Sequence, residues 1–285
     1  MGIGKNHAKK ISFALFFFMI LFLFGGCLRK VGEPLDINNL QGKTIGCMLA
    51  YSSDYILTND YDGIEVRRFD TYTDMMMALT FHQLDAVAME MDESYVFCRL
   101  QPEFAIYGLF KEDEPFCYYM NPDTPELNET FNAFIREFRE TEEYRDIRRR
   151  VEASAFEPYV SKAIDNPGTE GKTLTVSVFD GWEPVSYLDF ETDEWEGSDI
   201  ELITHFANAI GAKVEFEPIG SYTQAVVELS RGKVDIMVCP DSIRYKEDLE
   251  KANNVTMSEW VWKKDIVIMV NSADYEDYFA AKGEN

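Results

Sequence analysis

The chain has 285 residues, enough for two modest domains or one large one. Its apolar fraction of 46% and its 21 Phe support sizeable cores and exclude bulk disorder. A formal net charge of −24 argues against nucleic-acid binding, which needs clustered Lys and Arg, and favours a well-hydrated surface.

Residues 1–26 read as a processing signal. "MGIGKNHAKK" supplies three Lys and no acid, and the apolar run "ISFALFFFMILFLF" follows. That run is shorter than the ~20 residues of a spanning helix; an uncleaved anchor is the alternative. The stretch "LFGGC" resembles a bacterial lipobox, with Phe24 where Leu is usual. It implies a lipid, such as palmitate, on Cys27, which would hold the protein outside the cell membrane and tethered to it. Residues 27–40 read as the tether.

In residues 41–155, "GKTIGCMLA" predicts a buried strand and "IEVRRFD" a second. "YTDMMMALTFHQ" puts Tyr72, Met76 and Leu79 on one helical face. "LDAVAMEM" predicts a third strand, and "FAIYGLF" and "EPFCYYMN" two more. A long helical region is expected over "TPELNETFNAFIREFRETEEYRDIRRRVEA", with Phe131, Phe134 and Phe138 as a packing stripe. Residues 156–170, with Asn-Pro-Gly, break the periodicity and read as a linker.

Residues 171–270 repeat the pattern. "TLTVSVFD" predicts a strand, followed by a long loop, "GWEPVSYLDFETDEWEGSD". "IELITHFANAIGA" predicts a helix with a Gly at its end, "KVEFEPIG" a strand, "YTQAVVELSRGK" a helix and "VDIMVCP" a strand. "YKEDLEKA" predicts a short helix and "WVWKKDIVIMV" a long strand; residues 271–285 read as a frayed acidic tail. Tyr-Thr opens a helix–turn–strand phrase at Tyr72 and again at Tyr222, with equal spacing to Asp85 and Asp235. Strands alternating with helices predict two α/β units with mainly parallel sheets; Asp85 and Asp235 are expected to cap turns.

Cys47, Cys98, Cys117 and Cys239 form no CxxC or metal spacing. Cys47 and Cys239 lie in strand-like runs and read as buried thiols. A Cys98–Cys117 disulfide is open to an exported protein. His7, His82 and His205 are scattered, so no His-based metal site or triad is supported, and no cofactor is expected.

The words "LTVSVFDGWEPVSY", "EGSDIELITHFANAIGAKVEFEPI" and "YTQAVVELSRGKVDIMVCPDSIR" resemble the first lobe of the bacterial extracellular solute-binding proteins, family 3, the polar amino acid type. "LDINNLQGKTIGCMLA", "FDTYTDMMMALTFHQLDAVAMEMD" and "EPFCYYMN" resemble the same family's second lobe. The resemblance implies a two-lobed periplasmic binding protein-like (type II) α/β fold. The lobe order is reversed, which reads as a circular permutation cut at the interlobe junction; a fragment of a longer tandem protein is the alternative.

The resemblance also implies a hinged cleft at the carboxyl ends of the strands. There an Arg would hold a ligand carboxylate, an acid its ammonium and an aromatic its flank. Arg244 lies near the family's Arg position, although Glu247 occupies the strict place in the Thr-x-x-Arg pattern; otherwise it is a surface Arg. Glu90 matches the acid position, and Asp92 shares its face if the strand continues; otherwise both are solvated strand-end acids. Trp182 stands at the aromatic position before Pro184, as cleft wall or as core, and Tyr187 and Asp180 are further candidates. Ser52 and Ser53, after Ala50-Tyr51 where the family has Gly-Thr, read as helix caps or as anion-facing groups.

The expected function is an extracytoplasmic, lipid-anchored binding protein that captures an amino acid or similar small polar solute for an ABC permease. It is expected not to be an enzyme, since no acid–base pair stands out. The alternatives are a sensing or interaction module with a degenerate site, and a dehydratase-like enzyme on the same fold.

Overall fold

The structure, a computed structural model, describes residues 34–283. The signal at 1–26, Cys27 and the tether up to residue 33 lie outside the described residues. The described chain forms two compact units, one of residues 36–273 and a small one of residues 34–35 with 274–283.

In the larger unit the first half builds β1 (Thr44–Met48), α1 (Ser52–Asp60), β2 (Glu65–Phe69), α2 (Tyr72–Thr80), β3 (Ala86–Glu90), α3 (Met91–Leu100) and β4 (Phe104–Met120). Helices α4 (Pro125–Phe138) and α5 (Glu142–Ala153) follow. The second half builds β5 (Thr173–Val178), a hairpin of β6 (Tyr187–Asp189) and β7 (Glu194–Glu196), α6 (Ser198–Ala209), β8 (Lys213–Pro218), α7 (Tyr222–Ser230) and β9 (Ile236–Ser242). A 3-10 turn (Ile243–Tyr245), α8 (Lys246–Asn253), β10 (Thr256–Met257) and β11 (Trp262–Asn271) complete it.

The main sheet runs β2-β1-β3-β11-β4-β9-β5-β8. β1 is parallel to β2 and β3, and β5 is parallel to β8 and β9. β11 and β4 lie between these triplets, antiparallel to their neighbours, and join them. Each half is thus a mainly parallel α/β unit, the two-lobed arrangement that the family resemblance implies.

The repeated Tyr-Thr phrase is built the same way twice. Thr71 caps α2 by accepting from the Asp74 amide, and Ser221 caps α7 by accepting from the Gln224 amide. Asp85 accepts from the Thr44 amide at 2.8 Å, and Asp235 from the Thr175 amide at 2.9 Å. Each pins the turn after its helix to the first strand of its half.

Strand alternation sorts the core onto two faces. Cys117 and Tyr119 of β4, with Met237 and Cys239 of β9, join a cluster with Met75, Leu79, Met89 and Trp182. Tyr118 and Met120, with Ile236 and Val238, join another. That second cluster also contains Phe131, Ile135, Phe138, Ile147 and Val151 of α4 and α5, packed with Leu202, Ile203 and Phe206 of α6. Helices 125–153 therefore bury their apolar stripe against the second half. The segment 156–170 has no regular structure but is strapped across α6: Tyr159 Oη and the Lys162 amide donate to Glu201 at 2.7 and 3.1 Å.

Several elements differ from expectation. The two strands expected at 104–120 are one, because β4 pairs along its length with β11 and β9, and bulges let the acidic Lys111–Glu114 stretch remain in the ladder. The long helical region breaks after Phe138, where Thr141 turns to cap α5 through the Tyr144 amide. β3 stops at Glu90, and Met91 starts α3, with Asp92 and Glu93 in the favourable first turn. Glu90 and Asp92 therefore do not share a strand face. The loop after β5 contains the β6–β7 hairpin. The four cysteines of the described chain are free, so Cys98 and Cys117 are not bonded. In the small unit, α9 (Glu276–Lys282) occupies the expected frayed tail and is closed by Gly283 in the left-handed region.

Candidate functional site

The carboxyl ends of β1, β3, β5 and β9 lead into Tyr51–Ser52, Glu90–Glu93, Phe179–Trp182 and Asp241–Ser242. Carboxyl strand ends are where open α/β sheets gather ligands. Here they bring side chains of both halves together.

The first contact is a clasp. Ser52, 1% exposed at the start of α1, accepts from the Ser242 amide at 2.7 Å, and its hydroxyl lies 3.5 Å from Asp241 Oδ1. Tyr119 Oη donates to Asp241 Oδ2 at 2.6 Å, and Tyr222 Oη donates to Tyr119 Oη at 3.0 Å. Burial pushes the Asp241 carboxyl up to about 7, against the hydrogen bonds from Tyr119 and Ser52.

Next to it lies a buried acid cluster. Glu90 and Glu93 are 3% and 1% exposed. Glu90 Oε1 and both Glu93 oxygens have no hydrogen-bond partner. Lys264 of β11 reaches Asp92 at 3.2 Å and Glu93 at 3.6 Å, without forming an aligned hydrogen bond. Burial and the Glu93 charge push the Glu90 carboxyl up to about 8. Burial also raises Glu93, more than Lys264 lowers it. Burial would lower the Lys264 ammonium, but Glu93, Asp92, Asp199 and Glu90 together outweigh it and raise it.

Aromatic rings flank the acids. Tyr51 lies 5.8 Å from Trp182 and 6.2 Å from Tyr72, and Trp182 packs edge-on against Phe179. The indole N–H of Trp182 and the buried hydroxyl of Tyr72 have no partner. Arg99, on the last turn of α3, donates through Nη2 to Glu183 at 2.8 Å, while its Nε and Nη1 are buried and unpartnered. Gly197 lets the hairpin close on the Trp182 loop: at φ 129°, a Cβ would collide with the Val185 carbonyl oxygen.

Of the residues expected to bind, Ser52, Glu90, Asp92 and Trp182 lie in this region. Arg244 lies on the 3-10 turn after β9 and is forked onto Glu114, with Nε at 3.1 Å and Nη2 at 2.8 Å. Its guanidinium thus already holds a carboxylate of the chain. Tyr187 sits on the hairpin, and its hydroxyl lies 2.9 Å from both the Tyr159 carbonyl and Glu196, the two acceptors of its one proton. Asp180 is exposed and accepts from the Gly181 and Leu188 amides, which makes it a turn former. Ser53 is buried in the first turn of α1, and α1 has no side-chain cap.

Asp241, Tyr119, Tyr222, Glu93, Lys264 and Arg99 are site residues that sequence reasoning missed. Lys264 and Asp241 carried a signal, since each is a charge set in or at the end of an apolar strand run. Two surface cavities, of about 410 and 330 Å³, are lined by residues around Asn38–Gln41 and Asp60–Asp62, and around Asp54–Asn59 and Tyr245. Neither is lined by the acid cluster or Trp182. Among the described residues no group of His, Cys, Asp or Glu is placed to hold a metal ion, and no helix is long and apolar enough to cross a membrane.

Residues 174–283, less than half of the chain, match the family model of bacterial extracellular solute-binding proteins, family 3. No curated protein matches the sequence. Similar solved structures include the ligand binding component of an ABC-type import system from Staphylococcus aureus, with zinc bound. It is 12% identical, over 84% of this chain and 70% of that one, with a TM-score of 0.44. A probable transcriptional regulator from Pseudomonas aeruginosa is 10% identical over 98% of this chain and 78% of that one, with a TM-score of 0.45. A probable amino-acid ABC transporter extracellular-binding protein from Bacillus subtilis is 9% identical over 85% of this chain and 93% of that one, with a TM-score of 0.40.

Proposed function

We propose that this chain, which matches the family 3 bacterial extracellular solute-binding proteins over residues 174–283, is the solute-binding component of an ABC importer. In this reading it captures an amino acid or similar small polar solute between its two halves and delivers it to a membrane permease. Lipid on Cys27 holds it outside the cell membrane.

One observation carries the reading. Charged and aromatic groups from both halves converge there and leave buried polar atoms without hydrogen bonds: Glu90 Oε1, both Glu93 oxygens, Arg99 Nε and Nη1, and the Trp182 indole N–H. Burying such groups unpaired costs several kcal/mol. A small polar solute with hydrogen-bonding and charged groups would give these atoms partners, and hinge opening would let it enter. Thermal unfolding against a panel of amino acids and small polar solutes tests this. A solute at one hundred times its Kd adds about 2.7 kcal/mol of stability, and a panel that shifts no melting temperature counts against the reading. The anchor is tested by metabolic labelling with palmitate, which Cys27→Ser should abolish.

A second reading, a sensing or interaction module with a degenerate site, is favoured by the chain's own carboxylates. Asp241 fills the clasp at Ser52, and Glu114 occupies Arg244. If solution scattering finds the halves closed and no solute alters the profile, this reading gains over the first.

A further inference from the structure

Resting on the solute-binding reading, the same groups narrow the class of solute. A carboxylate-bearing solute would be expected to seat its carboxylate at the amino-terminal turn of α1, where helix ends favour anions. In this chain Asp241 already lies there, 3.5 Å from Ser52 Oγ and 2.6 Å from Tyr119 Oη. A solute carboxylate brought to that turn would meet the buried Asp241 carboxyl, where water screens little. Arg99 does not demand an anion either, because Glu183 already balances its charge at 2.8 Å.

What is left over is negative. Glu90 and Glu93 are almost fully buried with three oxygens lacking a hydrogen-bond partner, and the cation that faces them, Lys264, lies closer to Asp92 than to Glu93. Trp182, 5% exposed and from the other half, is a separate observation. Its ring is tilted against Tyr51 at 5.8 Å, and its indole N–H is unpartnered. Aromatic faces beside acids are the usual seat of an organic ammonium.

We propose that the interlobe site recognises its solute through an ammonium group held by Glu90 and Glu93 beside the Tyr51–Trp182 rings, and that it accepts compact amines carrying no carboxylate. Burial and the Glu93 charge raise Glu90 to about 8, so Glu90 holds a proton near neutrality in the absence of solute, and burial with the Asp92 charge raises Glu93 as well. Lys264 faces them from β11, Asp92 from α3, Asp241 from β9, and Tyr51 and Tyr72 from the first half. An arriving ammonium replaces the Glu90 proton, so binding releases a proton to the solvent.

Isothermal titration of the full chain with 1,4-diaminobutane, lysine, glutamine and glutamate tests the proposal. The diamine is expected to bind at least ten-fold more tightly than glutamine or glutamate. Its heat should differ between phosphate and Tris buffers in the sense of proton release. Glu93→Gln should weaken the diamine ten-fold or more. If glutamine or glutamate binds and the diamine does not, the proposal is overturned while the solute-binding reading stands. If no amino acid or amine binds, both are overturned. Should Glu93→Gln fail to fold, the wild-type buffer comparison decides: diamine binding without proton release overturns the proposal.

Discussion

The phenol of Tyr119 on β4 donates to the carboxylate of Asp241 on β9 across 2.6 Å, in a place where Asp241 is 1% exposed. Burial nevertheless dominates, and it lifts the carboxyl from an ordinary 3.8 to about 7. The folded chain thus retains a proton that the unfolded chain releases between those values. The stability from this group is full below about pH 4 and is lost as pH rises through 7. A tenfold change in proton affinity corresponds to about 1.4 kcal/mol, so the loss is on the order of a few kcal/mol. Urea denaturation of wild type and Asp241→Asn at pH 4.5, 6 and 8 isolates it from the other acids. Wild type should lose more stability than the variant across that range; parallel pH profiles would sink the assignment.

Arg244 forks onto Glu114, which is nearly buried, while Arg244 itself is half exposed. Arg244→Ala leaves a buried carboxylate held by the Ser242 hydroxyl alone. Because solvent screens the exposed guanidinium, the expected cost is about 1–2 kcal/mol rather than that of a fully buried pair. Lys at this position should recover only part of it, since the two-pronged contact is lost. The added Glu114→Gln change should restore most of the stability. A double-mutant cycle checks the pair, and independent, additive costs would show that the two residues are not coupled.

Asp85 and Asp235 each accept an amide proton from the first strand of their half, at 2.8 and 2.9 Å. Each also returns its own amide to the same residue's carbonyl at 2.8 Å. Equivalent geometry predicts equivalent cost. Asp85→Ala and Asp235→Ala should each lose about 1–2 kcal/mol, measured by chemical denaturation, and neither should change solute affinity. A large disparity between them would mean that the two turns are not doing the same job.

Those turns were legible in the sequence because they are local. An apolar period and an Asp before an apolar run act within a short window, and Asp85 and Asp235 sit where the pattern put them. The mainly parallel α/β plan followed from the same signals. What escaped depends on distant partners. β4 reads as two strands until β11 supplies a continuous ladder across its acidic middle. The end of "AMEMD" reads as strand until α3 begins, so Glu90 and Asp92 part. The Phe stripe of α4 looked like packing without saying that α6 would be its partner. The partner of Arg244, Glu114, is 130 positions away, and nothing near Arg244 announces it.

Lys264 supplies the sharpest test of the acid cluster. It is 3% exposed, sits within ion-pair distance of Asp92 and Glu93, and also feels Asp199 and Glu90. Lys264→Met keeps much of the volume and removes the charge, leaving these acids to repel one another in a buried site. Breaking such a set costs about 3–5 kcal/mol when the remaining charges stay ionised. They need not stay so, because Glu90 and Glu93 are already displaced upward, and loss of the ammonium displaces them further. Protonation then relieves the repulsion as pH falls. The deficit of Lys264→Met relative to wild type should therefore be largest near pH 8 and shrink towards pH 5, read from melting temperatures across that range. A deficit that is constant with pH would mean that Lys264 contributes packing alone, and that the acids around it are not ionised at pH 8.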